Sequence, residues 1–220
     1  MVGAISAKHL FLYNMEKVSI EKALEELRKD ENKRKFIQTV DLIVNLRDFD
    51  VRKESVNVFI AVPNPTEKKI AGFLTRKSGL VDSITKDDFK KFSDAKEMKR
   101  LARKYDFFIA AAPLMGEIAT TFGRVLGPVG KMPSPQGGIM PIDSDDKIKE
   151  TVEKMKMMIR IRTKERSIKM PIGKEDMPDE KLKQNVEAVL NELEKVLPKG
   201  KQNIKDVLIK LTMTKPVRVR

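Results

Sequence analysis

The spacing of apolar residues changes several times along the chain, and each change marks a different kind of element. At residues 15–30, Ile20, Ala23, Leu24 and Leu27 recur at i, i+3, i+4 and i+7, which puts them on one face of a helix. Over 36–49 the period shortens to two. Val40, Leu42, Val44 and Leu46 point one way and Asp41, Asn45 and Arg47 the other, as in a half-buried strand of an antiparallel sheet. Residues 56–62 (VNVFIAV) predict a second strand.

Pro63-Asn64-Pro65-Thr66-Glu67 interrupts this pattern, because proline imposes extended backbone and withholds a donor. Beyond it, 69–74 reads as a short apolar strand and 87–104 as a charged helix. Residues 107–112 (FFIAAA) are a continuous apolar run, as in a strand covered on both faces. Helices at 114–126 and 145–157 follow. Strands alternating with helices imply a parallel, doubly wound sheet. From 159 the period of two returns. Ile159, Ile161, Ile168, Met170 and Ile172 interleave with Arg160, Arg162 and Lys169, and 163–167 reads as a hairpin turn. Pro178 opens a last helix, with Leu182, Val186, Val189, Leu190, Leu193 and Leu197 along one side and Pro198 and Gly200 at its end. Segments 204–213 and 217–219 are final strands.

The two ends of the chain share one style and the middle has another. The expected fold is an α+β domain formed by both chain ends, 15–67 and 157–220. Into it is inserted a Rossmann-like α/β domain at 68–156, and 1–14 is an N-terminal extension. Two crossings, near 63–68 and 156–159, suit a hinge.

Composition narrows the chemistry. The chain has 220 residues, 40% of them hydrophobic, enough to fill two cores. It has no cysteine, which excludes disulfides, thiolate catalysis and cysteine-based zinc sites. Its single histidine, His9, has no partner cluster, so neither a catalytic centre nor a cofactor or metal is expected. No apolar run approaches the roughly 20 residues of a spanning helix. Residues 1–14 make a poor signal peptide, so the expectation is a cytoplasmic protein with no membrane partner.

Lys and Arg total 45 against 32 Asp and Glu, a net charge of +13 that self-repels unless a polyanion neutralises it, with RNA, DNA and an anionic membrane as the candidates. The excess is local. Residues 147–169 hold nine basic side chains and three acidic ones, and 199–220 hold seven basic ones with only Asp206 opposed. The helix region between them is acidic. The cations therefore belong to strands, whose wet faces carry Arg160, Arg162, Lys169, Lys210, Arg218 and Arg220, in the manner of an RNA surface.

The most distinctive stretch is Gly123-Arg124-Val125-Leu126-Gly127-Pro128-Val129-Gly130-Lys131-Met132-Pro133-Ser134-Pro135. A loop over 127–141 is expected from its four glycines and four prolines. It does not fit the phosphate-binding loop, since Val125 stands where the first glycine belongs and Met132 follows the lysine. A nucleotide-dependent transferase using the middle domain is the enzymatic alternative, and it lacks that motif, a catalytic histidine and any cysteine.

This stretch resembles the signature of the large-subunit ribosomal protein L-one family, roughly Gly-Arg-x-Leu-Gly-Pro-x-Gly-x-Met-Pro-x-Pro, and looks most like archaeal members. Phe36-Ile37-Gln38-Thr39-Val40, Gly173-Lys174, the helix at 185–193 and Thr212-Met213 fall where that family has counterparts. The resemblance implies a non-enzymatic, two-domain protein, monomeric within the ribosome, that binds large-subunit rRNA. It also implies a mobile stalk beside the tRNA exit site that assists release of deacylated tRNA, and a repressor that binds its own mRNA. By position, Phe36, Thr39, Lys169, Gly173, Lys174, Thr212, Met213 and Thr214 are the expected RNA-binding residues. Arg124, Gly127, Gly130 and Lys131 are the second-domain loop residues, with exit-site tRNA as partner. The family has glycine where this chain has Thr214, which adds a side chain where backbone would approach ribose.

Overall fold

The computed structural model describes residues 17–219 apart from 55, 93, 142 and 164. The chain divides into two compact units. One comprises the chain through Asn64 and from Arg160 on; the other is Pro65–Ile159. The N-terminal segment expected at 1–14, and Arg220, lie outside the described residues.

The outer unit is built on β1 (Thr39–Leu46), whose sequence TVDLIVNL buries every second residue. β8 (Ser167–Lys174) and β9 (Ile204–Leu211) pair antiparallel on its two sides, and β10 (Val217–Arg218) adds to β9. The strand order is β10-β9-β1-β8. α1 (Ile20–Leu27) packs on β9 and α5 (Asp179–Val196) on β8, and they bring Ala23, Leu24 and Leu27 and Leu182, Val186, Val189 and Leu193 to the core. Burying a leucine or valine side chain of this kind is worth about 1.5–3 kcal/mol. α1 starts later than the periodicity implies, because the Ser19 hydroxyl accepts the Lys22 N–H at 3.3 Å and caps the helix there.

β2 (Asn57–Ala61) pairs with β7 (Met158–Arg162) in a separate two-stranded sheet. The expected hairpin at 163–167 is therefore wrong. β7 and β8 belong to different sheets, and the chain between them passes from one to the other. Thr163 anchors the passage, its hydroxyl accepting the Val56 N–H at 2.9 Å while its own N–H donates to the Val56 carbonyl at 2.9 Å.

The inner unit holds an all-parallel sheet of order β4-β3-β5-β6. It comprises β3 (Ile70–Phe73), β4 (Asp82–Ile84), β5 (Phe107–Ala111) and β6 (Ile139–Met140). Helices α2 (Ala95–Lys104), α3 (Met115–Val129) and α4 (Asp145–Met157) complete it. Four phenylalanines fill the core. The Phe73 and Phe122 rings lie 5.0 Å apart, Phe89 and Phe122 5.2 Å, and Phe73 and Phe108 5.5 Å. A mixed fold with an antiparallel outer sheet and a parallel, doubly wound inner sheet matches the expected class.

Candidate nucleic-acid interface

Because β1 is central and antiparallel to both neighbours, its starting end lies beside the finishing ends of β8 and β9. Thr39 sits opposite Lys174, and Val40 opposite both Gly173 and Leu211. Phe36, Thr39, Gly173, Lys174, Thr212, Met213 and Thr214 thus converge on one end of the sheet. Lys169 does not join them. It pairs with Ile43, four residues along β1 from Thr39, or roughly 13 Å at strand spacing. Its ammonium lies 3.8 Å from Glu165.

Hydrogen bonds tie the three chain segments together. The Thr212 hydroxyl accepts the Thr39 N–H at 3.1 Å and lies 3.4 Å from the Thr39 carbonyl. The Glu175 carboxylate accepts the Gln38 N–H at 3.1 Å, and the Glu175 N–H donates to the Gln38 carbonyl at 2.8 Å. The Gln38 side chain is fully buried. It accepts the Met213 N–H at 3.1 Å and donates to the Asn32 carbonyl at 2.9 Å.

What is left facing outward is apolar and cationic. Phe36, Ile37 and Met213 are 53%, 62% and 61% exposed, far more than large apolar side chains usually are. Lys33, Arg34 and Lys35 precede them, all exposed. The Asp30 carboxylate, 2.6 Å from the Lys33 ammonium, raises the Lys33 pKa by hydrogen bond and charge. Lys215 is exposed on the opposite flank.

Two of the expected site residues have internal duties. A side chain at Gly173 would put its Cβ 2.2 Å from Leu182 Cδ2, so the glycine admits α5 to the sheet. Thr214 turns inward. Its hydroxyl accepts the Leu211 N–H at 2.9 Å, its own N–H donates to the Leu211 carbonyl at 3.1 Å, and its φ is not positive. It closes the turn after β9 and does not crowd the outer surface.

The expected second-domain loop is partly helix. α3 continues through Gly127 and Pro128 to Val129, so Arg124 and Gly127 are helical and Arg124 is exposed. Gly130, at φ 79°, ends the helix. Its N–H donates to Gly127 at 3.0 Å and the Lys131 N–H to Leu126 at 3.0 Å, the paired bonds of a left-handed helix stop. The Lys131 ammonium donates to the carbonyls of Ala102 at 2.9 Å and Tyr105 at 2.7 Å, at the negative end of α2. It is a helix cap and not a free cation.

The cations expected on one wet face are also divided. Lys210 lies on the open face of the outer sheet, opposite Asp41, and counters the burial that raises the Asp41 pKa. Arg160 belongs to β7, where its Nε donates to Asn57 Oδ1 at 3.1 Å and its guanidinium covers the Phe59 ring at 5.3 Å. Arg218 pairs with Asp206 at 2.5 Å.

Ile37, Gln38 and Glu175 take part in this sheet end, Gln38 from beneath it, without standing among the expected RNA-binding residues. Ile37 and Gln38 sit between Phe36 and Thr39, and a polar residue beside an expected contact strand was the available signal.

A stitched strand end that presents cations and exposed apolar groups has the character of an RNA-binding protein. Comparison with known proteins agrees. Residues 27–215 match the model of the Ribosomal protein L1p/L10e family. The large ribosomal subunit protein uL1 of Thermococcus kodakarensis is 39% identical over 210 residues, covering 90% of this chain and 94% of the relative. Those of Nanoarchaeum equitans and Thermofilum pendens are each 37% identical, over 87% and 91% of this chain and 95% and 92% of theirs. The chain belongs to the ribosomal protein L1p/L10e family, in its archaeal type.

Proposed function

We propose that this protein is a structural component of the large ribosomal subunit. It binds large-subunit rRNA through the end of the outer sheet formed by the start of β1 and the finishes of β8 and β9. The observation that carries the reading is the convergence there of Phe36, Thr39, Lys174, Thr212 and Met213, with Phe36 and Met213 held outward against their apolar preference. Aromatic and thioether groups of this kind receive unstacked bases, while Lys33, Arg34, Lys35 and Lys215 meet phosphates.

The inner unit, joined through two crossings, extends as a mobile stalk at the tRNA exit site and assists release of deacylated tRNA. Arg124, exposed on α3, makes a light contact with the passing tRNA. A segment of the protein's own mRNA that imitates the rRNA site occupies the same sheet end and is repressed by it. Nucleotide-dependent transfer is disfavoured because Val125 stands where the first glycine of a phosphate-binding loop belongs and Met132 follows Lys131.

The test is binding to large-subunit rRNA at fixed salt. Phe36→Ala and Met213→Ala should each weaken it by about 1–3 kcal/mol, roughly fivefold or more, with the melting temperature unchanged. Unchanged affinity in both overturns the assignment. Arg124→Ala should leave rRNA affinity within about 0.5 kcal/mol and change the release time of labelled deacylated tRNA from reconstituted ribosomes. Equal release times would remove the tRNA role, and undiminished translation of the protein's own mRNA on adding the protein would remove the repressor role.

A further inference from the structure

Phe36, Ile37 and Met213 lie on irregular backbone outside the strands, where large apolar side chains ordinarily fold back onto the surface. Here all three are more than half exposed. Gln38 is the feature that connects their segments. It is 0% exposed, and four hydrogen bonds leave it for three separate parts of the chain. Its side-chain amide donates to the Asn32 carbonyl at 2.9 Å and accepts the Met213 N–H at 3.1 Å. Its backbone N–H meets the Glu175 carboxylate at 3.1 Å, and its carbonyl accepts the Glu175 N–H at 2.8 Å. The buried side-chain amide thereby ties the turn before β1 to the turn after β9, and the backbone of the same residue ties both to the finish of β8.

We infer that Gln38 is a positioning residue for RNA recognition. It pre-forms the apolar face made by Phe36, Ile37 and Met213 before RNA arrives, and Ile37 is a further base-contacting side chain on that face. The inference rests on the reading of this sheet end as the rRNA site. Ordering loops only on binding subtracts from affinity, whereas a face already held in its bound form avoids that loss. A buried amide that satisfies both its own groups and a backbone N–H is strongly specified, because any apolar substitute orphans the Met213 N–H and the Asn32 carbonyl.

The experiment uses the full chain and in-vitro-transcribed large-subunit rRNA. Gln38→Met keeps the volume and removes the two side-chain hydrogen bonds, to Asn32 and Met213, while leaving the backbone bonds to Glu175. It should weaken binding about tenfold, mostly through faster dissociation. In the free protein the Met213 amide should lose its protection from hydrogen exchange, which a general loss of stability would not confine to that position. Met213→Ala should cost roughly fivefold or more alone but little in the Gln38→Met background, since the two act through one surface. Ile37→Ala should weaken binding several-fold with the melting temperature unchanged. Should Gln38→Met fail to fold, Glu175→Ala attacks the same clamp from its half-buried side, at the Gln38 backbone. It should expose the Gln38 amide to exchange and weaken binding about threefold. Wild-type affinity after the Met213 or Gln38 amide has lost protection overturns the positioning role, as do additive effects of Gln38→Met and Met213→Ala. Wild-type affinity of Ile37→Ala overturns its contact role. If Phe36→Ala and Met213→Ala are themselves without effect, the site assignment fails first and the inference with it.

Discussion

A methyl group at Gly173 would lie 2.2 Å from Leu182 Cδ2 and 3.1 Å from Met177 Sδ, inside the seam between β8 and α5. Gly173→Ala should therefore destabilise the outer unit by about 1–3 kcal/mol, the range for overpacking a filled core, read as a lower urea midpoint at unchanged slope. An unshifted midpoint would mean that α5 yields without cost. At this scale the sequence tells which residue types matter and leaves open which way they face. Thr212 and Met213 stand next to each other, yet the Thr212 hydroxyl is engaged with Thr39 while the Met213 side chain is 61% exposed. Lys131 reads as a loop cation until Ala102 and Tyr105 are seen to accept its protons. Such duties depend on partners 26 to 175 residues away, a separation that spacing along the chain does not encode.

Elements were legible wherever a period ran long enough to be read. β1 alternates over eight residues, α5 keeps one apolar side over eighteen, and α4 begins and ends as its pattern implies. β4 and β6 have three and two residues and carry no period. The supposed hairpin at 163–167 misleads because the same alternation serves two different sheets. The join at Lys68 is another element whose role appears only in three dimensions. Its ammonium donates to the carbonyls of Lys156, at 2.9 Å, and Met158, and stands over the Phe107 ring at 5.5 Å. Burial pushes its pKa down to about 8, against the opposing pull of Asp106. Between pH 8 and the ordinary lysine value of 10.5 the unfolded chain holds more protons at this position than the folded one. Stability from this group should then rise as pH climbs through that window. Urea midpoints of wild type minus Lys68→Met, at pH 7.5 and 9.5, should show the wild type gaining at the higher pH. A constant difference would show that the group titrates as a solvated lysine.

At the scale of the molecule, two units with separate sheets are joined twice, and each has its own core. The outer unit closes its sheet without help from the insertion. Asn185, fully buried on α5, accepts the Asn64 N–H at 3.0 Å and donates to the carbonyls of Asn64 at 2.7 Å and Ile172 at 2.9 Å. It pins the first crossing where the unit ends. Deleting 68–156 and bridging the gap should leave a protein that melts cooperatively and binds large-subunit rRNA within about 0.5 kcal/mol of the full chain, as for changes remote from an interface. A bridged chain that unfolds, or folds without binding, would show that the outer unit depends on the inner one. The domain style was readable from the change of apolar period across the prolines near 63. The residues of the proposed binding surface are named in the sequence only through resemblance, because no local pattern announces which strand ends meet.

The order β10-β9-β1-β8 also sets a timetable for synthesis. β1 is made early, but one of its two neighbours, β9, comes more than 150 residues later. Until residue 204 has been translated and β9 has docked, one long side of β1 keeps unpaired amides and carbonyls, an edge open to wrong partners. Thr212 and Met213 follow directly behind. A nascent or truncated chain that stops before them lacks part of the face proposed to bind RNA. On that proposal competence to bind arrives as a late event in the protein's own translation, and incomplete products are kept from competing for the site.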